Sequence, residues 1–556
     1  MYLLVLLFAA SIAVKGQQGD VYPTAEKVSL FADRTLYIVG EEVHFSSFIL
    51  SDDKKMNKLS LILYAEIVSP DGISVAGNKF PIVNYTASGS LAIPKDILTG
   101  IYYLRAYTKY MRNVGPDAYC YVAMKIINPQ RSDVMSNNNT KGFVKNDANT
   151  ENTADAFVIS TDKNEYAQRG VINVSVKATT SAEYERLCIS VVPEASSPQN
   201  ILQLPTADHT VTSLHFYPET RGISITGELK DNANGKVVPD VRVNLSIIGK
   251  GHDFMAMQTD SSGRYFFSLP TYTGLRDLFL STVNSADYHP KILVDNDFCA
   301  LPLHLPSPIF QLSSDERAVA LSMAMNVHIG KLFNIDTIPC ATVDERDRKP
   351  FYGKPAEILT IDNYVQLPSL EEYFNELPTA VKVRKRQGVK YFKVLGTQSE
   401  MAIFDPLILL DWMAVDDQAK ILAISPQNIA RIEIVNQPYV KGDITYGGII
   451  SIISKRGDFA GIDLPASGIF INYRFLADSN MCNFSNPNSS NIPDSRNTLF
   501  WEPNLKLNAE NNAHISFASA DTPGRYAIVL KGITRAGDNF TCKKVFGVNQ
   551  GNNVGQ

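Results

Sequence analysis

A few stretches carry residue types that do chemistry in other settings. Ser51-Asp52-Asp53-Lys54 has the Ser-x-x-Lys spacing with which a lysine activates a serine. The Ser-Asp-Asn and Lys-Thr-Gly elements that complete such a site are absent, so the stretch reads as a polar turn. Asp231-Asn232-Ala233-Asn234-Gly235 begins like a calcium loop, but its twelfth position is Arg242, a cation where a carboxylate ligand is needed. It also reads as a turn. Asp416-Asp417 offers two carboxylates with no third placed locally, and His328 sits in a helical stretch without partner ligands. The six cysteines, Cys120, Cys188, Cys299, Cys340, Cys482 and Cys542, are scattered and contain no Cys-x-x-Cys pair, against a zinc ribbon or thioredoxin-type site. His-Glu-x-x-His, Gly-x-Ser-x-Gly, a Walker loop and a dinucleotide glycine fingerprint do not occur. The expectation is a protein that is not an enzyme, with no catalytic residues, no cofactor and no metal.

Charge narrows the partners. The formal net charge of −5 gives no reason to expect a nucleic acid. One basic run, Lys382-Val383-Arg384-Lys385-Arg386, reads as a solvated strand and turn, and its charge would also suit an acidic lipid or lipopolysaccharide. The apolar run Tyr2–Val14, followed by Val14-Lys15-Gly16, reads as a secretory leader over residues 1–16. No later segment is apolar for 18 residues, so no transmembrane segment is expected and the body is read as exported and soluble.

The elements that must position any site are mostly strands. Aromatic and β-branched residues are frequent, with 25 Tyr and 27 Phe. Period-two alternation from Val28 through Tyr107, broken by the turn Ser69-Pro70-Asp71-Gly72, predicts a β-sandwich over 24–128. An Asn/Asp/Thr-rich stretch makes 129–154 a linker or long loop. Thr161-Asp162-Lys163-Asn164-Glu165-Tyr166 then repeats the opening theme and predicts a second sandwich over 155–218. A third is expected over 219–300, and a helix-containing connector over 301–354 begins from the capping box Ser313-Ser314-Asp315-Glu316. A mixed α+β unit follows over 355–460. Alternating strands around Asp521-Thr522-Pro523-Gly524 predict a further sandwich-like unit over 461–556, which a Cys482–Cys542 disulfide would bracket.

Three resemblances organise these units. "DRTLYIVGEEVHF" with "SPDG" and "GIYYLRAYTKYM" is similar to the macroglobulin-type (MG2-like) sandwich of Bacteroidetes envelope proteins. The Cys-Gly-Glu-Gln thioester with which active macroglobulins trap proteases is missing. "ITGELKDNANGKVVPDVRVNL" with "TDSSGRYFFSLP" resembles carboxypeptidase-regulatory-like domains. Residues 355–460 resemble the plug of TonB-dependent outer-membrane receptors. The match rests on "PLILLDWMAV", where Trp412 follows Asp411 in place of the usual Gly, on "ISPQNIARIEIV" with Glu433, and on "YGGIISIISK" with Tyr446, Gly447 and Gly448.

The resemblance implies a mostly β chain of tandem sandwiches carrying a plug-like domain without a transmembrane barrel. A receptor barrel needs about 22 strands, and residues 461–556 do not hold that many, so energised import by this chain alone is not expected. The expected role is a non-enzymatic accessory, scaffold or assembly subunit of an outer-membrane protein complex, with a β-barrel protein as partner, on the periplasmic or cell-surface side. One alternative is a module capturing a nutrient, glycan or other small molecule for a TonB-dependent receptor. Another is a protease inhibitor or trap.

Overall fold

The structure is a computed structural model that describes residues 26–51, 59–135, 157–179, 184–197, 201–202, 214–248, 251–283, 289–333, 350–396, 398–442, 444–464, 467–477, 492–534 and 538–550. The expected leader, residues 136–154 of the 129–154 linker, Asp52–Lys54, Cys340 and Cys482 lie outside the described residues. Strands dominate, and no sheet closes into a barrel among the described residues. No described helix is long and apolar enough to cross a membrane.

The first sandwich pairs Glu26–Ala32, Glu42–Ser51 and Thr86–Ala92 in one sheet, and Cys120–Ile127, Gly100–Tyr107, Ile62–Val68 and Ser74–Pro81 in the other. Val43, Phe45, Leu63, Leu104 and Val122 fill the space between them. An alternating sequence predicts half-buried strands, yet Ile62–Val68 and Gly100–Tyr107 are buried at every position. The reason is a second layer: Tyr64, Tyr103 and Tyr107 on the outer face share a core with Ile225, Leu245 and Phe267 of the third sandwich. The charges at this junction are paired. Glu66 stands directly across from Arg105 and accepts from its Nε at 2.8 Å, while Nη2 of Arg105 reaches the Cys299 carbonyl at 2.9 Å.

The second sandwich is assembled from both ends of the chain. Val171–Ala178 pairs with Phe157–Thr161 and with Asn512–Ala518, and Tyr184–Pro193 pairs with Gly524–Thr534 and Phe500–Glu502. The stretches read from sequence as separate units, 155–218 and 461–556, are therefore two parts of one body. Physically, Ile172, Val174 and Ile189 of the early strands bury their side chains against Ile515, Phe517 and Ile528 of the late ones.

The third sandwich is closed in the same way. Ser224–Asp231 lies between Arg264–Ser268 and Pro290–Val294. The facing sheet, Asp253–Gln258, Arg242–Ile248 and Leu275–Thr282, takes Ile469–Arg474 as its fourth strand. The chain is thus nested: the α+β unit is inserted into the third sandwich, and the third sandwich into the second.

Helix Ser314–Leu332 starts at the capping box, with Ser313 accepting from Glu316 N and Glu316 accepting from Ser313 N. Its Ala320 and Met323 pack on Leu36 and Ile38 of the first sandwich, and Asn326 donates to Asn497 at 2.9 Å. His328 is exposed on this helix.

The α+β unit has a five-stranded sheet ordered Glu357–Thr360, Ile429–Val435, Ile449–Ser454, Leu407–Leu410, Met413–Ala414. Helices Leu370–Glu376 and Gln418–Leu422 cover one face, burying Leu370, Phe374 and Ile421 against Ile408, Leu410, Ile432 and Ile450. A separate two-stranded hairpin, Val381–Arg386 with Val389–Val394, projects from that side.

Candidate functional site: the seam and free face of the α+β unit

Asp411 and Trp412 form the turn between Leu407–Leu410 and Met413–Ala414, with φ of 45° and 72°. Two consecutive positive φ values suit a primed hairpin turn, where Gly is the usual second residue. A bulky side chain in this region is strained, and two sets of contacts hold it. The Asp411 carboxylate accepts from Ser454 N at 2.8 Å, Ser454 Oγ at 2.6 Å and Phe459 N at 2.9 Å, tying the turn to the central strand. The Trp412 ring lies flat on His252, with centroids 4.0 Å apart and an interplanar angle of 7°, and stacks on Tyr352 at 5.9 Å. Asp411 is therefore a clamp whose oxygens are both used.

Glu433 is buried and accepts from Tyr352 Oη at 2.8 Å and from Arg431 Nε at 2.6 Å. Tyr352 thereby joins Glu433 to Trp412. Tyr446 is buried edge-on to Phe254, with centroids 5.9 Å apart. The two glycines beside it are required by space. A β-carbon at Gly447 would sit 2.4 Å from the Phe404 carbonyl oxygen, and one at Gly448, where φ is 105°, would sit 2.7 Å from that of Val435.

These residues come together in a seam rather than a cleft. Leu407, Leu409, Tyr446 and Ile449 meet Phe254 and Ala256 of the third sandwich in one apolar cluster. Polar contacts flank it: Lys441 lies 3.1 Å from Asp253, Ala414 N donates to Ser246 Oγ at 3.3 Å, and Arg242 pairs with Asp416. The sequence reading missed the partners His252, Phe254, Phe351 and Tyr352. Its one available signal was the aromatic pair Phe351-Tyr352 set between Pro350 and Gly353 directly after the charged run Asp344–Lys349.

The remaining chemical candidates are structural. Asp417 caps helix Gln418–Leu422, accepting from Ala419 N and Lys420 N. Asp231 accepts from Ala233 N and His289 N, closing its turn. Burial pushes the thiols of Cys120 and Cys188 up to about 12, far from the range of a reactive thiolate. Burial likewise raises the Cys542 thiol. No group of three or more metal-ligating side chains occurs among the described residues. A shallow groove of about 420 Å³ on the second sandwich is lined by Asp162, Asn173, Ser175, His514 and Ser516. Its Asp162 is committed to Tyr166 Oη and the Asn173 backbone, so the groove is a solvated sheet face and not a charge relay.

One face of the α+β sheet is thus spent on the third sandwich and the other on helices. The basic hairpin and the loop beside it are among the parts that the unit leaves to solvent; Val389 and Ile403 are exposed there, as Val365 and Val440 are elsewhere on the unit.

No family model matches the chain, and no curated protein matches it. Solved structures do. The chain is similar to Salmonella alpha-2-macroglobulin reacted with methylamine, at 10% identity over 95% of this chain and 40% of that one, with a TM-score of 0.24. The native conformation of E. coli alpha-2-macroglobulin gives 10% identity over 96% and 40%, again with a TM-score of 0.24. Dimeric latent PorU from Porphyromonas gingivalis gives 11% identity over 51% and 34%, with a TM-score of 0.15. The chain spans about two fifths of the length of the macroglobulins it matches.

Proposed function

We propose that this chain is a non-enzymatic, exported envelope protein that serves as an accessory or assembly subunit of an outer-membrane protein complex, with the α+β unit as a plug-like docking body. Its sequence resemblance to the Bacteroidetes proteins that combine macroglobulin-type, carboxypeptidase-regulatory-like and plug domains motivates the reading.

The observation that carries it is the nested insertion. The α+β unit sits at the innermost level of the chain path, between strands Pro290–Val294 and Ile469–Arg474 of the third sandwich, with helix Ser314–Leu332 preceding it, and the segment Tyr446-Gly447-Gly448-Ile449 packs it against that sandwich. A unit packed along such a seam needs less ordering on binding, which lowers the entropy cost of docking. The partner expected is a β-barrel protein of the outer membrane. Crosslinking of the tagged full chain in its native envelope, followed by affinity capture and mass spectrometry, tests this. Recovery of a barrel protein crosslinked through residues 357–454 is the expected result. Crosslinks confined to the sandwiches, or none to an outer-membrane protein, overturn it.

A further inference from the structure

We propose that the hairpin Val381–Val394, together with the loop at 402–404, is a docking surface for an anionic lipid surface bearing phosphate groups. The inference stands apart from the identity of any protein partner.

The hairpin carries Lys382, Arg384, Lys385, Arg386, Lys390 and Lys393 and no acidic residue. Its register places Lys382 directly across from Lys393 and Lys385 directly across from Lys390. Like charges in opposed positions destabilise a strand pair, and a ribbon of two strands has little stability to spare. Only part of this repulsion is relieved internally: Lys390 pairs with Glu371, and Lys393 Nζ reaches the carbonyls of Ala402 and Phe404. Lys382, Arg384, Lys385 and Arg386 have no ion-pair partner among the described residues. The arrangement destabilises the free protein and becomes favourable when an anionic surface supplies the missing counter-charge.

The two faces of the ribbon differ. Val381, Val383, Phe392 and Val394 turn inward and anchor it on the core of the α+β unit. The other face sets Lys382 and Lys393, Arg384 and Tyr391, Arg386 and Val389 side by side. Val389 is 65% exposed at the tip, and Ile403, in the loop held by Lys393, is 80% exposed. Exposed apolar side chains among unpaired cations, with a tyrosine between them, match the two layers of a lipid interface, acyl boundary and headgroup. The phosphate backbone of a nucleic acid would use the cations and leave Val389 and Ile403 without a role.

The test is co-sedimentation of the full chain with phosphatidylcholine vesicles, alone or containing phosphatidylglycerol or lipid A. Binding is expected only to the anionic vesicles and should fall as salt rises. Arg384→Glu/Arg386→Glu should reduce the bound fraction by roughly tenfold or more. Ile403→Ser should reduce it at unchanged charge. Charge reversal at Lys177 and Lys236, exposed on the sandwiches, should leave it unchanged, and the melting temperatures of all variants show that they fold. Competition by inorganic phosphate at constant ionic strength assigns the contact to the phosphate group itself; its failure assigns it to the charged bilayer, and either agrees with the proposal. Equal binding by wild type and the double reversal overturns it. So does binding to a labelled single-stranded oligonucleotide in preference to every vesicle.

Discussion

The first two sandwiches open with the same corner, and only one of the two corner carboxylates is buried. In the first, Tyr37 Oη donates to Asp33 Oδ1 at 2.7 Å, Arg34 N donates to Tyr37 Oη at 3.4 Å, and His44 N donates to Asp33 Oδ1 at 3.2 Å. In the second, Tyr166 Oη donates to Asp162 Oδ1 at 2.5 Å, Lys163 N to Tyr166 Oη at 3.0 Å, and Asn173 N to Asp162 Oδ1 at 3.0 Å. The spacing of the four residues is the same. The tyrosine lies in both cases on a short strand that pairs in parallel with the last strand of its sandwich, Leu36–Ile38 with Cys120–Ile127 and Glu165–Ala167 with Asn539–Asn549. A local device that ties a strand entry to a turn has been used twice.

The surroundings have then diverged. Asp162 is exposed. Asp33 and Arg34 are buried where the first sandwich meets the second, and the second sandwich reaches in: Thr498 Oγ1 donates to Asp33 Oδ2 at 2.6 Å and accepts from Arg34 Nη1 at 2.7 Å. Glu41 takes Arg34 Nη2 at 2.8 Å and Asn497 Nδ2 at 2.6 Å. Burial alone would push the Asp33 carboxyl up, but the charges of Arg34 and His44 and the hydrogen bonds from Thr498 and Tyr37 together outweigh it and hold it below its ordinary value. One corner closes a turn; its twin locks two domains together.

The largest effect should follow from breaking the lock at its charge. Asp33→Ala leaves the buried Arg34 with Glu41 as its one carboxylate partner and removes an acceptor from Tyr37 and Thr498. Loss of one partner of a buried ion pair costs about 3–5 kcal/mol, read as a lowered denaturation midpoint. Asp162→Ala, whose carboxylate faces water, should shift the midpoint far less. Equal effects at the two sites would show that the buried corner has no interdomain role.

The second effect is on pH. Lys531, from the second sandwich, donates to the Ala32 carbonyl at 2.7 Å beside this corner, and burial pushes its ammonium down to about 8 from an ordinary 10.5. Between these values the unfolded chain holds a proton that the folded chain has released, so stability rises with pH across that window. Below it, the cost of the buried charge is fully present, on the order of 3 kcal/mol. Lys531→Met should flatten the difference in stability between pH 7.5 and pH 9.5 relative to wild type, and an unchanged slope would contradict the burial argument.

How much of this was legible follows from range. The capping box at Ser313, the strand–turn pattern around Gly447-Gly448 and the Asp–Tyr repeat are local signals, and each stands in the structure where the sequence put it. The closure of the second and third sandwiches by Asn512–Ala518 and Ile469–Arg474 has no local mark, because a strand's alternation says which face is apolar and not which distant strand covers it. The same limit hid the seam. Trp412 in a Gly position marked an unusual turn, but the ring that stabilises it, His252, lies 160 residues earlier in another domain.

A third effect isolates the bridge between the sandwiches. Thr498→Val keeps the shape and removes one donor to Asp33 and one acceptor from Arg34. Hydrogen bonds to charged groups contribute about 1.5–3 kcal/mol each at most, so a loss near the lower value is expected. Combined with Asp33→Ala, the two changes should be clearly less than additive, since both break one network.

The smallest effect is the most discriminating. Tyr37→Phe and Tyr166→Phe delete the same hydroxyl from the two copies of the corner. In the buried copy, Asp33 Oδ1 keeps only the His44 amide and no water replaces the lost donor. The cost should then exceed the roughly 1 kcal/mol of a neutral hydrogen bond. In the exposed copy, water takes the vacated position on Asp162 and the shift should fall below that value. Chemical denaturation of the two variants side by side reads the difference directly. A larger loss for Tyr166→Phe would mean that the tyrosine hydroxyl stabilises the corner through its own turn and that burial against Thr498 adds nothing to it.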